Sequence, residues 1–365
     1  MRSRANGHPR DPRPSSIPGK DKSPFHDASM RKPSHRLIRA TTTSAALAGG
    51  YIIQHAAAAK WEPSSLSWSE AGLDLPSDLV STTIGTEDGG TIHLLQRGEG
   101  RPVLFLHGVT LSAKVWAYQL QELASSYRVI AVDLRGHGLS KPGSSGTTIE
   151  QMADDLERVL DALDLTGAIV VGHSMGGMVA IEYALTHHPK MPNRVDGLLL
   201  VATSAKPLMP LNGNALPVKV ATWLLNAYLA KRASNQQQPL PGGDIAAWLS
   251  RAAFGRYPLP AHVQVTQLMF QAMHPRSLSD ILPSLAGFDR SNELREIKLP
   301  TLVLVGTADL LTPPFHAKAL ASRIPRSSLK VLSGAGHMLM LEEPGELARA
   351  IREMDEETRP TSQSR

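Results

Sequence analysis

Val170-Val171-Gly172-His173-Ser174-Met175-Gly176-Gly177 is the stretch on which the fold turns. It holds a G-x-S-x-G pattern, with an apolar run before it (Ala168–Val171) and a helix-spaced stretch after it (Met175–His187). Alone, the pattern reads as a glycine-rich turn with an idle serine. Between a strand and a helix it becomes a sharp turn that presents one serine at the edge of a sheet. The reason is steric. Such a turn leaves no room beside the serine, so Gly172 and Gly176 keep side chains out and Gly177 eases the helix onto the strands.

Working outward, short apolar runs recur on both sides. Ser81–Gly85 and Thr91–Gln96 flank the turn Glu87-Asp88-Gly89-Gly90 and read as a strand pair. Pro102–Leu106 ends at His107-Gly108, and Tyr127–Asp133, Val195–Val201, Thr301–Val305 and Ser328–Leu332 follow. Helically spaced stretches such as Ile149–Leu163 lie between them. Buried strands alternating with helices predict an α/β fold, a mostly parallel sheet flanked by helices. From Val201 to Thr301 no strand is legible. Three stretches, around Trp223, Trp248 and Leu268, carry i, i+3, i+4, i+7 apolar spacing instead. They predict a helical cap inserted after the sixth strand, with hinges near Pro207–Pro217 and Gln236–Gly243. The expected division is a core at 78–203 and 296–356, with a cap at 204–295.

The ends differ in composition. Residues 1–40 hold ten Lys/Arg against three Asp/Glu, a surplus larger than the whole chain's net +5. The basic character is a tail property and gives the body no reason to seek nucleic acid. Too few bulky apolar residues occur there to offset ordering entropy, so a disordered tail is expected. Residues 41–60 are nearly uncharged and apolar. A packed helix, a weak membrane anchor in contact through 41–59 and an export signal all fit that composition. Residues 357–365 read as a second disordered tail. A cytoplasmic protein is the leading expectation, with membrane association or export as alternatives. The chain has no cysteine, which excludes disulfides, thiolate metal sites and a thiol nucleophile. The composition calls for no metal and no cofactor.

A serine hydroxyl needs a base poised near neutral pH, and histidine is the natural one. Of fourteen histidines, His337 in Ser333-Gly-Ala-Gly-His lies just past the last expected strand. Loops at the carboxyl ends of parallel strands share one edge with the serine turn. Asp309, in Val305-Gly-Thr-Ala-Asp, leaves the preceding strand at that edge and would orient His337. Two N–H groups should receive an oxyanion, those of Met175 and of Val109, with Gly108 allowing close backbone approach. His107 reads as a brace for that loop more than as a chemical group. His107, Gly108, His173, Trp223, Leu268 and Met269 are the candidate pocket residues, although burial of the cap is the plainer role for the apolar ones.

With these residues in place, the chain resembles the α/β-hydrolase superfamily in its single-chain, helical-capped branch. The matching pieces are His107-Gly108, Asp133-Leu-Arg-Gly-His-Gly-Leu-Ser140, Gly172–Gly177, Asp309 and Gly336-His337, over roughly residues 80–355. The resemblance implies that Arg135–Gly138 forms a turn at the site rim without a catalytic part. It also separates relatives. Haloalkane dehalogenases and epoxide hydrolases of this fold carry Asp at the position of Ser174, and dienelactone hydrolases carry Cys. Carboxylesterases or lipases, lactonases, thioesterases, carbon–carbon bond hydrolases and cofactor-free perhydrolase or haloperoxidase-like members remain. The leading expectation is cleavage of a small-molecule ester with an apolar acyl group.

Overall fold

The computed structural model describes residues 68, 71–207, 247 and 250–359, all within one compact unit spanning residues 54–365. The two tails, the apolar segment, both expected hinges and the stretches around Trp223 and Trp248 fall outside the described residues, apart from their edges.

Eight strands form one sheet: β1 Val80–Gly85, β2 Thr91–Arg97, β3 Arg101–Leu106, β4 Tyr127–Val132, β5 Ala168–His173, β6 Val195–Val201, β7 Thr301–Gly306 and β8 Ser327–Leu332. Their order is β1-β2-β4-β3-β5-β6-β7-β8. The β1/β2 and β2/β4 pairs are antiparallel and the rest are parallel. The central strands were legible because their apolar runs are short and bounded by polar or glycine-containing turns.

Alternation puts the sheet's two faces into two cores. Leu104, Leu106, Val170 and Leu200 face one, and Val103, Phe105, Val171 and Leu199 face the other. Helices cover both: α1 Ala117–Glu122, α2 Ile149–Ala162, α3 Met175–Thr186, α4 Pro260–Ala272, α5 Pro275–Gly287, α6 Pro314–Arg323, the single turn α7 Leu339–Glu342 and α8 Pro344–Thr358. Thr148 caps α2 by accepting the Gln151 N–H at 3.2 Å. Its buried stripe, Met152, Leu156, Val159 and Leu160, follows the helical repeat. Between β6 and β7 the described residues hold α4 and α5 and no strand.

β3 lies between β4 and β5, so the chain winds one way from β3 and then the other. Such a reversal opens a crevice at the carboxyl ends of the two diverging strands, which are β3 and β5 here. His107 follows β3 and Ser174 follows β5. Among the described residues, no helix is long and apolar enough to cross a membrane.

Candidate active site

Ser174 joins β5 to α3 with φ 53° and ψ −117°, a backbone conformation that a side chain strains. Three glycines make the turn possible. A Cβ on Gly172 would lie 2.4 Å from the Gly176 carbonyl, one on Gly176 2.2 Å from the Leu106 carbonyl, and one on Gly177 2.6 Å from Thr203. The backbone is held from both sides. Ser174 N–H donates to the Val201 carbonyl at 3.0 Å, and the Thr203 hydroxyl donates to the Ser174 carbonyl at 2.6 Å.

His337 and Asp309 arrive from β8 and β7 on loops that bond to each other. Thr307 N–H reaches the Leu332 carbonyl and Ala308 N–H the Ala335 carbonyl, both at 2.9 Å. His337 Nδ1 meets Asp309 Oδ2 at 2.9 Å, and both side chains are buried. Because Nδ1 faces a carboxylate it carries the ring proton, which leaves Nε2 as the basic nitrogen. Asp309 Oδ1 accepts the Leu311 and Thr312 N–H groups at 2.9 and 2.8 Å, and Oδ2 accepts the Thr312 hydroxyl at 2.7 Å. Burial pushes the Asp309 carboxyl up. The neighbouring His337, electrostatically and through its hydrogen bond, and the Thr312 donors outweigh that and hold it well below the usual carboxylate range.

His173 packs on His337, with ring centroids 4.7 Å apart. Its Nε2–H donates to the His337 carbonyl at 2.9 Å, and burial, then the nearby His337, keeps its pKa far below the ordinary histidine value. A Cβ on Gly108 would lie 2.9 Å from His173 Nδ1 and 3.1 Å from Ser174 Cβ. Only a glycine lets the β3 loop come so close to the serine. That loop closes with Leu111 N–H on the Gly108 carbonyl and Thr110 at φ 65°, a turn in which the Val109 N–H has no part. Met175 opens α3, so its N–H has no partner within the helix. Gly108 thus brings the β3 loop against Ser174, and Met175 follows the serine directly in the chain.

The pocket candidates scatter. His107 is fully buried, with Nδ1–H donating to the Gly108 carbonyl at 2.7 Å and Nε2 accepting the Leu134 N–H at 3.0 Å. With both nitrogens used and burial lowering its pKa, it braces the β3 loop against β4 and offers no wall to a ligand. His173 is likewise closed in. Met269 is buried in the second core, while Leu268 is 40% exposed on the outer side of α4, so helical rotation separates the two neighbours. Trp223 lies outside the described residues.

Two contributors escaped the sequence. Thr312 touches both partners, donating to Asp309 and lying 3.2 Å from His337 Nδ1; the Asp-x-x-Thr spacing was its only signal. Glu342, on α7, gathers the N–H groups of Gly336 (3.1 Å), Met338 (3.1 Å) and Gly255 (2.7 Å). Its carboxylate thereby fixes the residues flanking His337 to the segment before α4. His337 N–H on the Ala253 carbonyl at 2.8 Å adds to that junction. Among the described residues, no group of three His, Asp or Glu side chains is placed to hold a metal ion.

A family model for the alpha/beta hydrolase fold matches residues 101–344, two thirds of the chain and every part of the site. The chain belongs to the α/β-hydrolase fold family. It is similar to the AB hydrolase superfamily protein YisY of Bacillus subtilis, 32% identical over 262 residues that cover 71% of this chain and 93% of that one. It is also similar to a non-heme chloroperoxidase of Streptomyces lividans, 31% identical over 72% of this chain and 95% of the relative. Among solved structures, a thermophilic esterase from Thermogutta terrifontis with malate bound matches at a TM-score of 0.63 and 29% identity, over 78% of this chain and all of the esterase. The chain is therefore a hydrolase of this fold, with esterase and haloperoxidase-like neighbours.

Proposed function

We propose that this α/β-hydrolase cleaves carboxylic esters with an apolar acyl group through an acyl-enzyme on Ser174. The observation that carries this reading is the buried Asp309–His337 pair, whose Nδ1 contact fixes the tautomer a serine needs. Ser174 Oγ attacks the ester carbonyl and His337 Nε2 takes its proton. The oxyanion draws on the N–H groups of Met175 and Val109, at the positive end of α3. His337 returns the proton to the leaving alcohol, and water repeats the sequence to free the acid. Hydrolysis of p-nitrophenyl esters of graded chain length tests the reading. Turnover should be abolished in Ser174→Ala, and full activity in that variant would refute it.

The similarity to a non-heme chloroperoxidase favours one variation on the same chemistry. Hydrogen peroxide in place of water would turn the acyl-enzyme into a peracid and free Ser174. Peracid formation from an ester and peroxide, lost in Ser174→Ala, measures it.

A further inference from the structure

The Asp133-Leu-Arg-Gly-His-Gly-Leu-Ser stretch has no part in the chemistry above, yet its first residue ends a second serine–histidine–aspartate relay. Ser81, exposed on the edge strand β1, lies with Oγ 2.9 Å from His93 Nε2. His93, on β2, is 5% exposed and sets Nδ1 2.8 Å from Asp133 Oδ2. Asp133, just past β4, is 3% exposed and also accepts the Ala113 N–H at 2.6 Å and the Leu139 N–H at 3.0 Å. The loop wraps this carboxylate so closely that a Cβ on Gly138 would come within 2.2 Å of it.

Proton positions follow from the partners. A carboxylate accepts only, so in the neutral His93 ring the proton sits on Nδ1 and Nε2 is bare. The Ser81 hydroxyl must then be the donor, aimed at a buried base that is oriented by a buried carboxylate. A serine on an imidazole edge is an ordinary surface contact; one backed by a fixed tautomer and an acid is the arrangement that activates a nucleophile. Burial pushes the Asp133 carboxyl up, but the His93 hydrogen bond, the nearby His107 and the two backbone donors hold it below its ordinary value.

We propose that Ser81 is a second acylation site, open to solvent and taking activated carboxylic esters such as aryl acetates. Ser81 Oγ attacks the carbonyl while its proton passes to His93 Nε2. The aryl oxide leaves and takes that proton, giving acyl-Ser81 and a phenol. β1 supplies no turn of N–H donors like that at Ser174. The rate should therefore fall below that of Ser174 by about 10²–10³-fold, the worth of one oxyanion donor.

The test uses the full chain carrying Ser174→Ala, treated with p-nitrophenyl acetate, with acetyl groups located by fragment-ion mass spectrometry. Ser81 should acetylate about 10²-fold faster than the exposed Ser77 four residues away, the measure of general-base help. A further His93→Gln substitution should bring Ser81 down to the rate of Ser77. Equal rates at the two serines overturn the proposal, as does an unchanged Ser81 rate in a folded His93→Gln protein. If that variant does not fold, the ratio of Ser81 to Ser77 decides alone. A proven nucleophile at Ser174 is not assumed, because that residue is absent from the tested protein.

Discussion

Asp309 holds His337 in one tautomer and receives three further donors, so its charge and its shape are separable. Asp309→Asn keeps the shape but offers His337 an amide in place of a pure acceptor. Turnover of a p-nitrophenyl ester should drop about 10⁴-fold with an unchanged circular-dichroism spectrum, as expected when the ring adopts the wrong tautomer. Loss of less than tenfold would remove Asp309 from the proposed mechanism. The sequence singles out Ser174, Asp309 and His337 as candidates because each follows an apolar run in a glycine-containing loop. Thr312 and Glu342 were not legible, because the Thr312 hydroxyl meets His337 and the Glu342 carboxylate meets Gly255 only once the chain has folded. The same blindness hid the role of His93, whose partners lie 12 and 40 residues away.

The serine turn and the His337 loop are elements whose shapes depend on contacts to their neighbours. Gly176 backs onto the β3 carbonyls at a distance no Cβ tolerates. Gly176→Ala should therefore destabilise the fold by about 1–3 kcal/mol, the usual range for overpacking, and urea melts read it directly. Glu342→Gln keeps the side-chain size but sets an amide NH2 against three N–H donors. With the His337 loop released, kcat should fall about 10²-fold while KM changes little, the cost of misplacing a catalytic group by an ångström. A matching change in KM alone would mean that Glu342 serves the substrate and not His337. Among the described helices between β6 and β7, α5 is the one that the periodicity missed. Pro275 opens it and Pro283 sits inside it, and an interior proline ordinarily ends a helix.

For the whole molecule, Arg135 is the tie that the sequence assigned to a rim turn. It is 2% exposed, meets Asp155 through Nε at 2.8 Å and Nη2 at 2.6 Å, and meets Asp88 through Nη1 at 2.5 Å. The β1–β2 turn, the loop after β4 and α2 are thus joined by one guanidinium. Arg135→Ala leaves Asp155 buried and uncompensated, and thermal or urea melts should show a loss of about 3–5 kcal/mol. Acid should weaken the fold through Asp309. Its carboxyl is held below its ordinary value in the folded state, so the unfolded chain takes up the proton first. The stability this residue adds is whole above the unfolded pKa of about 3.9 and is lost as pH falls below it. Urea midpoints between pH 5 and 3 should drop more steeply in the wild type than in Asp309→Asn, and parallel slopes would contradict the assignment.

The most direct measurement is the order in which serines of the wild-type chain react with a fluorophosphonate probe supplied below one equivalent. Ser174 should carry the label first and nearly alone, with ester turnover falling in proportion to its occupancy. Label on any other residue while Ser174 stays free, or full turnover with Ser174 fully labelled, would contradict the assignment of the nucleophile.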